Sequence, residues 1–166
     1  MSQSLNVVIF SLDLSIKNFI MIIAVDFDGT IVEHEYPKIG KPIPFAFETL
    51  RRLQQENHRL ILWTVREGDL LQEAIDFCAK NGVEFYAHNA NFPEEKLSQD
   101  FKGSCRKLKA DLFIDDRNLG GLPDWGVIYD AVMATRRGES AFRKIMEYDP
   151  EANRKSKGGL FSIFGK

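Results

Sequence analysis

Short apolar runs punctuate this chain, and each ends abruptly in polar residues. Ile22–Val25 runs straight into Asp-Phe-Asp-Gly-Thr, and Arg59–Thr64 reads RLILWT. Val83–Ala87, Asp111–Ile114 and a shorter Val127–Tyr129 complete five predicted strands. Runs like these, without polar alternation, suit strands covered on both faces in a parallel sheet. Between them the apolar period becomes helical. Ala46, Phe47, Leu50 and Leu53 share one face of a helix near Pro44–Glu56, with Pro44 suited to its first turn. Leu70, Leu71, Ala74, Phe77 and Cys78 do the same over Asp69–Asn81, where Gly82 is placed to end the helix. A last helix covers about Ala141–Glu147. The alternation predicts an α/β protein: one Rossmann-like open parallel sheet of about five strands, with helices on both faces.

Size and charge narrow the picture. At about 100–200 residues per domain, a chain of 166 residues holds one domain and its tails. Apolar residues make up 44% and charged ones 28%, ordinary values for a folded globular chain. A formal charge of −2 gives no general field for gripping a polyanion, so no nucleic-acid partner is expected. The cysteines, Cys78 and Cys105, have no CxxC spacing and no clustered histidine, which fits a reducing cytoplasmic setting better than a disulfide scaffold or zinc site. The apolar start is broken by Asp13 and Lys17, short of the ~20 residues of a membrane span, and no basic region precedes it. Residues 1–20 are read as an extension outside the core, 21–148 as the domain, and the basic, glycine-containing 149–166 as a mobile tail.

In open α/β sheets the ligand crevice lies beyond the carboxyl ends of the strands. Asp26, Asp28, Gly29 and Thr30 follow the first strand, Thr64 and Arg66 the second, and Asp115 and Asp116 the fourth. Carboxylates converging there repel unless a cation neutralises them, and an all-oxygen set favours Mg²⁺. A calcium loop of the EF-hand type fails, because Gly29 comes at its fourth place and Pro37 where the bidentate glutamate belongs. The set suits phosphoryl transfer. Asp26 can attack phosphorus as a carboxylate nucleophile, and Asp28 can protonate the leaving oxygen and then activate water. Backbone N–H groups around Phe27–Gly29 and the Thr64 hydroxyl can hold phosphate oxygens, and a lysine is needed to offset their charge.

The order DFDGT, LILWT, a lysine, then LFIDD resembles the haloacid-dehalogenase-like (HAD) superfamily of phosphohydrolases across Ile22–Asp116. Read with DFDGTIVEHEYP, ILWTVREG and FIDDRNLGGLPDWG, it is similar to a small capless bacterial group of that superfamily. The resemblance implies a Mg²⁺-dependent phosphomonoester hydrolase with Asp26 as nucleophile and Asp28 as general acid/base. It also implies Thr64 on the phosphate and Asp115 with Asp116 at the metal, beside Asp26 and Asp28. KLKADLFIDD matches the superfamily's lysine pattern with Lys107, and Lys109 and Lys102 stay open. The gaps Ile31–Ile43 and His88–Arg106 are too short for a folded cap, so the crevice is expected to be open. Either the substrate is then large, or a second subunit of a homo-oligomer or the tail covers the site; the partner expected is a phosphorylated small molecule.

Other residues carry weaker claims. His34 reads as a solvated loop residue with substrate contact as the alternative, and His58 as a charge at a helix end or a surface residue. His88, with Asn89 and Asn91, follows the third strand within reach of a leaving group or as plain loop. Arg66 forks onto phosphate or pairs with Glu67 or Asp69, and Arg117, followed by Asn118, balances the aspartates. Trp63 and Trp125 read as packing. The rival functions are a receiver-like phospho-aspartate domain, whose motif order differs from the one here, and a HAD-fold binding protein without turnover.

Overall fold

The structure, a computed structural model, describes residues 20–95 and 108–146. Strand β1 is Ile22–Val25, and helix α1 is Ala46–Gln55. Then come β2 (Arg59–Leu62), α2 (Gly68–Lys80), β3 (Ala87–His88), β4 (Leu112–Ile114), α3 (Trp125–Arg136) and α4 (Ala141–Met146). The strands form one parallel sheet in the order β3-β2-β1-β4. The chain winds outward from β1 through β2 to β3 and returns on the far side as β4. The direction of winding therefore reverses between β1 and β4, where a crevice opens at the carboxyl ends.

The β1 strand lies between two neighbours, and Ile23, Ala24 and Val25 are wholly buried. Alternate strand residues divide between two clusters, as the pleat requires. One holds Ile23, Val25, Leu60 and Leu62 with Phe47, Leu50 and Leu53 of α1, Ala74 and Cys78 of α2, and Trp125, Ile128 and Val132 of α3. The other gathers Ala24, Ile61, Ala87 and Leu108, with Trp63, Tyr86 and Phe113 against them. Among the described residues no helix contributes to this second cluster. The expected extension at residues 1–20, apart from Ile20, and the tail lie outside the described residues. So does most of the stretch between β3 and β4.

Among the described residues the sheet has four strands, not five, because Val127–Tyr129 is helical. The Asp124 side chain accepts from Gly126 N at 2.8 Å and caps α3. Trp125, Ile128 and Val132 are then buried at helical spacing. A three-residue apolar run carries no period of its own, so the cap and the flanking residues decide. The third strand is also shorter than Val83–Ala87. The Val83 N–H is spent on Cys78 O (3.0 Å) and Gly82 N on Ala79 O, closing α2 around Gly82 at φ 77°. Ladder bonding starts only at Tyr86 N, which donates to Leu60 O. Pro44 stands outside α1, whose entry is the left-handed Phe45 (φ 66°). His58 is neither a surface residue nor a helix-end charge. It is buried, its Nδ1 accepts from Met21 N at 3.1 Å, and burial together with Arg136 lowers its pKa.

Residues 31–43 form a compact strap beside β1 and not a domain. Glu33 N donates to Lys41 O, Ile43 N to Ile31 O, and Val32 bridges to Pro42. Among the described residues no helix is long and apolar enough to cross a membrane.

Candidate active site

Parallel pairing sets the functional residues level with one another. Val25 pairs with Leu62 and Ile114, and Leu62 with His88, so the residues that follow these partners emerge at one end of the sheet. Asp26 follows β1 and is tied down by its N–H to Ile114 O at 2.9 Å. Asp115 and Asp116 follow β4. Asp26, Asp115 and Asp116 each present a carboxylate oxygen within 4.8 Å of the others. The crevice bordered by Asp26 and Asp115 is ≈ 390 Å³ and is also lined by Asp28, Thr64, Trp63, Val65, Arg117, and His34 and Tyr36 of the strap.

Three carboxylates this close carry an electrostatic cost. Burial pushes the Asp26 carboxyl up to about 7, and Asp115 and Asp116 add to the rise. Hydrogen bonds from the Phe27 backbone and the Thr30 hydroxyl (3.0 Å) work against it. Asp116 is also raised, by burial and by Asp115 beside it. Its Oδ1 is buried without a hydrogen-bond partner, in a protein interior where such atoms are rare. An all-oxygen donor set, an orphaned carboxylate oxygen and two raised carboxyls fit a hard divalent cation.

Local sequence explains the close approach. Gly29 has φ 90°, a conformation glycine adopts without steric cost, and a Cβ there would collide with Asp116 Oδ2. Thr30 joins the two sides of the cluster. Its hydroxyl donates to Asp26 Oδ2 and accepts from Asp116 N at 3.0 Å, while its carbonyl accepts from Trp125 Nε1. Gly29→Ala is expected to push Asp116 out of the cluster. Divalent-cation affinity measured by titration calorimetry should then fall by more than tenfold, with a stability loss of about 1 kcal/mol or more from the strained backbone.

Several expected roles change in the folded chain. Asp28 is not part of the carboxylate group, because both its oxygens accept from Arg66, at 2.7 Å from Nε and 2.7 Å from Nη2. Arg66 was expected on the phosphate or on Glu67 or Asp69. It is instead wholly buried, and it also donates to Pro37 O and Lys38 O. Burying a guanidinium demands a carboxylate partner, and Asp28 is the one within reach. The Gly29 N–H, expected on a phosphate oxygen, donates to Val32 O at 2.7 Å. The Phe27 ring is core, edge-on to Phe77 and under Arg66.

Thr64 does reach the crevice, and its placement depends on a residue expected only near a leaving group or as plain loop. Asn89, in the left-handed conformation at φ 48°, accepts from Thr64 N and donates to Thr64 O, both at 2.8 Å. The Thr64 hydroxyl oxygen accepts from Arg66 N, leaving its proton to be donated to a ligand. The sequence signals for Asn89 and Thr30 are only their positions just after a strand. Lys107 and Lys102 lie outside the described residues. Lys109 is exposed, and its backbone N–H donates to Asn91 Oδ1. His88 is half-buried and does not line the crevice. Asn118 donates to Phe113 O. Trp125 is core, as expected, whereas Trp63 both packs on Phe113 and lines the crevice.

A solved structure of a conserved protein from Bacteroides thetaiotaomicron is similar to this chain, at 66% identity and a TM-score of 0.64, covering 70% of this chain and 92% of that one. No protein-family model and no curated protein matches the chain.

Proposed function

We propose, for a chain that belongs to the same family as the conserved Bacteroides thetaiotaomicron protein, that it is a capless, Mg²⁺-dependent phosphomonoester hydrolase of the HAD type. The observation that carries this reading is the group of Asp26, Asp115 and Asp116 at the switch point of the sheet, with Thr64 on the same crevice. Oxygens of Asp26, Asp115 and Asp116 would hold the cation, which when bound neutralises carboxylate and phosphoryl charge. The Asp26 carboxylate attacks phosphorus in line. The phosphorus–ester oxygen bond breaks, an aspartyl-phosphate forms, and water then cleaves it to free phosphate.

Asp28, carrying the proton it takes from the attacking water in the hydrolytic half of each turnover, gives that proton to the leaving oxygen of the next. That role asks for a change of partner, since both its oxygens are held by Arg66. One oxygen turns to the ester oxygen while the other stays on the guanidinium. The Thr64 hydroxyl donates to a phosphoryl oxygen, and Lys107 is the cation assigned to the same charge. The substrate class is a phosphorylated small molecule in the cytoplasm, with a second subunit as one cover for the open crevice.

The full chain is expected to release inorganic phosphate from an aryl phosphate with Mg²⁺, to stop on addition of EDTA, and to recover when Mg²⁺ is restored. Phosphate release that is indifferent to EDTA, or absent across a panel of phosphomonoesters, would overturn the reading.

A further inference from the structure

Tyr36 stands at the mouth of the crevice with its side chain half exposed at 49%. A tyrosine on a surface loop ordinarily samples several rotamers, so binding against it carries an ordering cost. This one is held in place. The Arg66 guanidinium carbon lies 5.3 Å from the Tyr36 ring centroid and 5.1 Å from that of Phe27, so the cation sits against both rings. The same guanidinium donates to Pro37 O and Lys38 O, the two carbonyls that follow Tyr36 in the strap. Asp28 takes its other side through two hydrogen bonds, which fixes the plane of the fork. The strap is closed farther out by Glu33 N on Lys41 O. Thus a buried ion pair serves as the base on which an exposed aromatic ring is mounted, within the cavity that contains Asp26.

We propose that Tyr36 is a preorganised stacking platform for the leaving group, and that the crevice selects phosphomonoesters whose leaving group is a planar aromatic ring. The placement of the phosphate at Asp26 rests on the phosphohydrolase reading; the platform itself does not. The surroundings suit such a ring: Trp63 and exposed Val65 supply apolar wall, and His34 and Arg117 supply donors at the rim. A polyol on the same phosphate would meet the Tyr36 face and the Val65 methyls where it needs hydrogen-bond partners. Stacking of a flat ring on a fixed aromatic side chain is worth about a tenfold gain in affinity or more.

The test compares phenyl phosphate with glycerol 3-phosphate, by titration calorimetry with Mg²⁺ in the full-length Asp26→Asn protein, so that neither ester is consumed. Phenyl phosphate is expected to bind more tightly. Adding Tyr36→Phe keeps that preference, and adding Tyr36→Ala lowers the ratio of the two affinities by about tenfold or more. A ratio left unchanged by Tyr36→Ala, whatever the absolute loss, overturns the platform, as does phenyl phosphate binding no more tightly than glycerol 3-phosphate. Phosphate release by the wild type is measured in parallel. If the binding preference follows Tyr36 but neither ester is hydrolysed, the phosphohydrolase reading fails and the platform stands.

Discussion

Asp26→Asn is expected to lose aryl-phosphate hydrolysis by more than about 10³-fold, yet to melt higher than the wild type when both are metal-free at pH 8. Loss of activity alone would be ambiguous, because a damaged fold gives the same result. The stability change has the opposite sign and separates the two. Burial raises the folded carboxyl to about 7, with Asp115 and Asp116 adding to it, whereas an unfolded aspartate titrates near ~3.9. The group is therefore uncharged in the fold where the unfolded chain has already lost its proton. Its contribution is at its most favourable below about pH 4 and is lost as pH rises through about 7. Asparagine keeps an oxygen to accept from Thr30 and removes the charge. Melting curves in EDTA should thus diverge from pH 4 to pH 8 with the variant on top, and Mg²⁺ should close the gap by stabilising the wild type more. A variant that melts lower than the wild type at pH 8 would show that Asp26 is not held against repulsion.

Arg66→Met is expected to cost about 3–5 kcal/mol, the usual penalty for leaving one member of a buried ion pair alone. Arg66 is wholly buried and Asp28 is 5% exposed, so water cannot take over the lost bonds. The methionine would fill much of the volume between Phe27 and Tyr36 while leaving the Asp28 carboxylate and the carbonyls of Pro37 and Lys38 without their donors. Asp28→Asn alone strands the guanidinium instead. The two changes together remove both charges, and the double variant should unfold at a free energy about 0.5–3 kcal/mol better than the sum of the single losses. Urea denaturation of the four proteins measures this. Additive losses, or a cost for Arg66→Met below about 1 kcal/mol, would place the pair in solvent.

Much of the candidate site is legible along the chain because its residues follow strands. An apolar run that stops at DFDGT or DDRN already tells where the strand ends, and parallel strands end on the same side of the sheet. The residues that support the site leave a fainter trace. Nothing local marks Asn89 as the side chain that holds both backbone groups of Thr64, since its signal is a left-handed conformation after a two-residue strand. Thr30 likewise looks like part of a turn until the return of β4 brings Asp116 N within 3.0 Å of its hydroxyl.

The strand β1, the helices α1 and α2 and the identity of the acidic residues were determined by sequence alone, because apolar period and Gly82 act within a few residues. What the tertiary structure decided is which carboxylates belong together. The sequence brings all four, Asp26, Asp28, Asp115 and Asp116, to one metal. In the fold Asp26 joins Asp115 and Asp116, while Asp28 turns to Arg66. The reason is burial: a guanidinium placed in the interior must be neutralised by a charge of opposite sign, and Asp28 answers that demand from a residue 38 positions away. Val127–Tyr129 went to helix through the Asp124 cap and its flanking residues, and Trp125 and Ile128 then enter the core with α1. The choice of partner for Asp28 depends on a residue distant in sequence, which no local pattern contains.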